Sequence, residues 1–137
     1  MDRHTKNKEL ISALRMAMYD FSESSVRKEL DKLFISEPVL RLCYPLGDKV
    51  GVDNYYMDVF APLLRALPDL ERRDTIVMAG PTKEGADWVG CCGYYTGTFS
   101  KAWLDIPPTG HQVAMRFHEF YRFEEERVTE VQTLWDI

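Results

Sequence analysis

The hydrophobic period of this chain changes once, at Pro68, and that change leaves few folds open. Before it, apolar residues recur at helical spacing. Leu10, Ile11, Leu14, Met18 and Phe21 form one stripe. Val52, Tyr55, Tyr56, Val59, Phe60, Leu63, Leu64 and Leu67 form another. The first pattern predicts a helix from Lys8 that is interrupted at Ser22 to Ser25 and resumes to Leu33, with Ser25 as a candidate cap. The second predicts a helix over Val50 to Leu67 that Pro62 must kink, because proline removes a backbone donor. Phe34 to Leu46 holds one short strand and a loop. Beyond Pro68 the period becomes that of strands: Leu70 to Ala79, Trp88 to Phe99, Val113 to Phe123 and Val128 to Trp135. Lys83 to Asp87 and Glu124 to Glu126 read as turns. Helices first and long strands after predict an α+β fold, with the helices on one face of a curved antiparallel sheet that closes into a cone around an internal pocket.

The chain has 137 residues, the size of one domain, so residues 1–137 are taken as a single unit. Its net charge is −5 and its basic residues form no runs, which argues against nucleic acid or an anionic membrane surface as a partner. No apolar stretch approaches the roughly 20 residues that span a bilayer. The first residues lack the apolar segment of a signal peptide, so a cytoplasmic location is expected. The three cysteines, Cys43, Cys91 and Cys92, read as buried reduced thiols. No metal-ligand spacing is present, and neither a metal nor another cofactor is expected.

Three motifs then stand in order: Ala66-Leu67-Pro68-Asp69-Leu70, Gly93-Tyr-Tyr-Thr-Gly-Thr-Phe99 and Ile106-Pro-Pro-Thr-Gly110. A strand ending Glu119-Phe-Tyr-Arg-Phe123 and then Val128-Thr-Glu130 follow them. Together they resemble the SnoaL-like polyketide cyclases, cone-shaped domains of the nuclear-transport-factor-like superfamily, over roughly Gly47 to Asp136. The resemblance implies a cofactor-independent intramolecular aldol closure, in which an acid/base group moves a proton. It also implies a homodimer through the outer sheet face. The chain departs from the family at Tyr95, where a histidine is usual, and at Gln132, where a tryptophan is usual. Relatives continue into a short helix, so ending at Ile137 implies either one domain of a longer protein or a domain without that helix.

With Glu125-Glu126 as a two-residue turn, Phe123 opposes Val128, Tyr121 opposes Glu130 and Glu119 opposes Gln132. One face then carries Val113, Met115, Phe117, Glu119, Tyr121 and Phe123 beside Val128, Glu130, Gln132, Leu134 and Asp136. That face is a mostly apolar wall with few polar groups, the usual make-up of a small-molecule site. Glu119 is the leading acid/base candidate, because apolar surroundings would raise a carboxyl towards neutrality. Asp136 is the alternative. Gln132 would orient a substrate carbonyl, with Met115, Phe117, Tyr121, Tyr95 and Trp103 lining the site. A one-residue slip would instead make Glu119 a rim carboxylate paired with Arg116 or Arg122, and His118 the pocket base. The opposite face, with Phe120, Val131 and Trp135 among arginines and threonines, fits a dimer interface.

Three functions remain open on the sequence. One is a cyclase- or isomerase-type enzyme acting on a small, partly apolar carbonyl compound. The second is a module that binds such a ligand without chemistry. The third is a dimeric accessory domain.

Overall fold

The computed structural model describes residues 2–137. Helix α1 (Arg3–Tyr19) begins where the Asp2 carboxylate accepts the Thr5 N–H at 2.8 Å, and it buries Ile11, Leu14 and Met18. Helix α2 (Glu23–Leu33) is capped by Ser22, three residues before the expected Ser25, whose own N–H instead donates to the Ser22 hydroxyl. It runs directly into strand β1 (Phe34–Arg41), which is followed by the short β2 (Lys49–Val50).

The helix expected over 50–67 is built in three pieces: α3 (Val52–Tyr55), a π-helical turn (Tyr56–Phe60) and α4 (Ala61–Ala66). Pro62 explains the middle piece. A proline ring inside a regular helix collides with the carbonyl four residues back, here that of Asp58. The widened turn, in which the Ala61 N–H reaches the Tyr56 carbonyl five residues back, relieves that collision. The insertion keeps Tyr55, Tyr56, Val59, Phe60 and Leu63 all buried.

Strands β3 (Glu71–Pro81), β4 (Asp87–Thr98), β5 (Gln112–Glu124) and β6 (Arg127–Trp135) form the expected antiparallel meander. The sheet has the order β2-β1-β6-β5-β4-β3, and β1 pairs parallel to β6, so it is mixed and not wholly antiparallel. Helices packed on one side of this six-stranded sheet make the α+β architecture. The β3–β4 turn closes on Gly85, at φ 85°. The β5–β6 turn is the two-residue Glu125-Glu126, with both φ values positive as a type I′ turn requires.

The three motifs interlock. The Asp69 carboxylate accepts the Thr98 N–H at 2.7 Å and the Thr98 hydroxyl at 2.8 Å, tying the end of α4 to the end of β4. These bonds hold the Asp69 carboxyl below its ordinary pKa. Gly97 fits closely there, since a Cβ would lie 3.0 Å from both Asp69 Oδ1 and Leu67 Cβ. The loop after β4 is then held by the Gly110 N–H on the Phe99 carbonyl and the Ser100 N–H on the Ala66 carbonyl. No helix among the described residues is long and apolar enough to cross a membrane.

Candidate functional site

Alternation along β5 places Phe117, Glu119, Tyr121 and Phe123 inwards, and all four are buried. The first turn pair, Phe123 with Val128, is also as expected. The register then shifts: Arg122 pairs with Glu130, which leaves Thr129 as an extra residue in β6. Such a bulge exchanges the two faces of the strand beyond it. Tyr121 therefore opposes Val131, and Glu119 opposes Thr133. Val131, Thr133 and Trp135 are the inward residues of β6, whereas Gln132 and Leu134 are exposed on the outside. This corrects the sequence-based placement of Gln132, Glu130 and Leu134 in the interior, and of Val131 and Trp135 on the outer face. Gln132 instead donates to Glu130 at 2.8 Å. Both border an outer-face concavity of about 850 Å³, which Trp88 and Phe120 also line.

Glu119 is 0% exposed. Its Oε1 accepts the Tyr121 hydroxyl at 2.5 Å and Arg72 Nη1–H at 2.8 Å. Its Oε2 accepts the Tyr95 hydroxyl at 2.6 Å and the Trp135 indole N–H at 2.8 Å. A carboxylate has about four lone-pair positions, and here all are used. Tyr95 reaches Glu119 from β4, the strand beside it. Trp135 reaches it only because of the bulge.

Arg72 is likewise buried, with its guanidinium 4.4 Å from the centre of the Phe117 ring. Its Nε and Nη2 face Asp74 at 3.2 Å, and Asp74 in turn meets Arg15 of α1 at 3.1 Å. Charges thus alternate from Arg15 at the surface to Glu119 in the centre. Burial alone would lower the pKa of Arg72, but Tyr121, Glu119, Tyr95 and Asp74 together raise it well above its ordinary value. Burial, and then the charge of Glu119, push the Tyr95 phenol far up. Tyr121 is pushed up by burial and Glu119 against the opposing pull of Arg72. Both phenols therefore stay protonated donors.

The other side chains expected to wall a pocket pack on one another here. The Tyr95 ring lies 4.7 Å from Phe117 and 5.0 Å from Trp135. Trp103 is 8% exposed and stacks 6.4 Å from Trp135. Met115 faces inwards beside Tyr95 but is only half-buried. Asp136 is exposed beyond the end of β6, so of the two candidate carboxylates Glu119 alone stands in the interior. His118 lies on the outer face between Cys92 and Leu134. Burial raises the Cys91 thiol to about 11, as befits an inert core residue. Among the described residues, no group of three or more His, Cys, Asp or Glu side chains is placed to hold a metal.

Sequence reading missed Arg72 and Trp135. Alternation along β3 hides Arg72: it groups Arg72 and Asp74 with the exposed Ile76 and Met78, and only the extra residue Thr75 brings them to the face on which Val77 and Ala79 pack on the core.

Residues 12–137 match the model of the SnoaL-like polyketide cyclases. The chain belongs to that family. Solved structures of the same shape include IdmH of Streptomyces antibioticus, a candidate polyketide cyclase. It is 20% identical with a TM-score of 0.77, covering 96% of this chain and 92% of that one. AclR of Streptomyces galilaeus, a candidate hydroxylase, is 20% identical with a TM-score of 0.76, covering 97% and 80%. An NTF2-like protein of Burkholderia thailandensis is 14% identical with a TM-score of 0.71, covering 98% and 92%. No curated protein matches the chain significantly. At these identities the neighbours establish the cone fold, and the family match places this chain among the SnoaL-like proteins.

Proposed function

We propose that this SnoaL-like chain is a cofactor-independent enzyme that performs acid–base chemistry on a small, partly apolar carbonyl compound, with Glu119 moving the proton. The observation that carries this reading is the fully buried Glu119 carboxylate, ringed by one guanidinium, two phenols and one indole. An aldol-type closure needs a base to take a proton from the carbon beside a carbonyl, and a donor to hold the enolate oxygen that results. Turning Tyr95 or Tyr121 from Glu119 towards a substrate oxygen supplies both at once, since the freed carboxylate oxygen becomes the base. The enolate carbon then attacks a second carbonyl, and the new alkoxide takes the proton back. Arg72 keeps the interior charge balanced throughout.

Glu119→Gln keeps the shape and removes the base. Its kcat on β-keto esters or linear polyketides is expected to fall by about 10²–10⁴-fold, with substrate affinity little changed. Unchanged turnover would remove Glu119 from the reaction. A second reading, a binding module without chemistry, is favoured by the saturation of all four Glu119 acceptor positions. It predicts binding of the same compounds with no turnover in either protein.

We also propose that the outer sheet face joins two copies of the chain. Ile76, Met78, Phe120 and Leu134 are between 43% and 62% exposed on that face, an apolar patch of the kind that marks an interface. Sedimentation is expected to show a dimer for the wild type and a monomer for Leu134→Glu. A wild-type monomer at micromolar concentration would refute this.

A further inference from the structure

Two cross-strand rows on the outer face of the sheet build a hollow that faces away from Glu119. In the first row Gly80 pairs with Trp88, Trp88 with Arg122 and Arg122 with Glu130. In the next, Met78 pairs with Gly90, Gly90 with Phe120, Phe120 with Gln132 and Gln132 with Arg41. Paired residues point to the same face, so these side chains border one concavity of about 850 Å³, a size usual for a small-molecule site. Its two ends differ. Met78, Trp88 and Phe120 make the β3–β4 end apolar, and Met78 and Phe120 are well exposed there. Arg41, Glu130 and Gln132 make the β1–β6 end polar. The Glu130 carboxylate is neutralised by the Arg41 Nε at 3.1 Å, accepts from Gln132 at 2.8 Å and faces Arg122 at 3.9 Å. The two terminal nitrogens of Arg41 are left without a partner among the described residues, a fork of the kind that pairs with a carboxylate.

Gly80 is an independent sign of an occupant. A Cβ there would meet no other atom within 4 Å, so nothing in the chain itself asks for glycine at that position. A glycine inside a strand often marks the close approach of a ligand. We infer that the hollow is a second ligand site, which takes a two-ring aromatic carboxylate with its rings over Gly80 against Trp88 and Phe120 and its carboxylate on Arg41. From β5 to β1 is two strand spacings, about 10 Å, which a two-ring acid and the arginine side chain bridge together. The site is separate from the chemistry proposed for Glu119, because the sheet stands between them. Met78 and Phe120 also belong to the patch proposed to join two copies, whose Ile76 and Leu134 lie in the next row. A second copy is therefore the rival occupant.

Calorimetric titration with 2-naphthoate, at concentrations up to about 5 mM, is expected to show one saturable site per chain. The indole N–H resonance of Trp88 should shift during the titration while that of the interior Trp135 stays. Gly80→Ile fills the apolar end and is expected to abolish uptake. It should keep or raise the melting temperature, since isoleucine suits a strand and displaces nothing here. Arg41→Met is expected to weaken 2-naphthoate by about three- to tenfold and to leave the neutral 2-naphthamide unchanged. No uptake by the wild type, the result when a second copy fills the hollow, overturns the inference. So does a shift of Trp135 without one of Trp88, which places the acid in the interior. Equal affinity for 2-naphthoate in wild type and either variant overturns it as well.

Discussion

Replacing Arg72 by methionine is expected to destabilise the protein by about 3–5 kcal/mol, the usual cost of breaking a buried ion pair by removing one partner. For a domain of this size that lowers the melting temperature by roughly 10–20 °C. The reason is local. Arg72 is surrounded by Glu119, Asp74 and the hydroxyls of Tyr95 and Tyr121, and its side chain has no exposed surface. Methionine fills much of the volume over Phe117 but leaves the Glu119 carboxylate in the core without a counter-charge. The double variant Arg72→Met with Glu119→Gln removes both charges and is expected to recover part of the loss, since neighbouring members of one network do not add. Thermal unfolding of the two single variants and the double variant decides the matter. A single Arg72→Met variant within about 1 kcal/mol of wild type would mean that the pair contributes no more than an exposed one.

The second large effect lies at Gly93. A methyl group there would stand 2.0 Å from the Arg73 carbonyl oxygen and 2.9 Å from Asp74 Cα, both backbone atoms of β3. The crowding comes from the β3 bulge, in which Thr75 is unpaired between the Asp74–Gly93 and Ile76–Cys92 pairs. Backbone cannot swing aside as a side chain does, so Gly93→Ala must push β3 away from β4. A loss of about 3 kcal/mol or more is expected, above the common range for overpacking. Gly90→Ala serves as the comparison. Its nearest neighbours are ring atoms of Phe120 at 3.0 and 3.1 Å, and that ring is 43% exposed and can turn. Urea denaturation should find Gly90→Ala within about 1 kcal/mol of wild type. Equal losses at the two glycines would contradict this account of the bulge.

These two sites show what the sequence could reveal and where it could not. The order of elements, the two-residue turn at Glu125-Glu126 and the inward face of β5 follow from period and turn length, which depend on neighbours in the chain. The face of β6 does not. One extra residue at Thr129 exchanges Gln132 for Thr133 and Trp135 in the interior, and nothing in Val128-Thr129-Glu130 signals it. No glycine marks the position, and Thr and Glu fit either face of a partly buried strand. The bulge at Thr75 has the same character, although Gly93 opposite it was visible as a glycine inside a strand, which often marks a bulge or a close approach. The charge chain from Arg15 to Glu119 joins α1, β3 and β5, so it becomes legible only once those elements are side by side. The parallel pairing of β1 with β6 was hidden for a related reason, because its partners are separated by most of the chain.

That pairing also governs when the protein can become itself during synthesis. β6 is the last of these six strands to be made, yet it sits inside the sheet between β1 and β5. Until it leaves the ribosome, β1 and β5 each present an open hydrogen-bonding edge, the kind of surface that recruits other chains. Glu119 meanwhile lacks the indole N–H of Trp135, which arrives only with the end of β6. The nascent chain therefore passes through a stage with its helices and three-stranded hairpin region made and its central carboxylate incompletely solvated by protein. The length of that stage is set by where one strand is threaded, since pairing of β6 closes both edges at once.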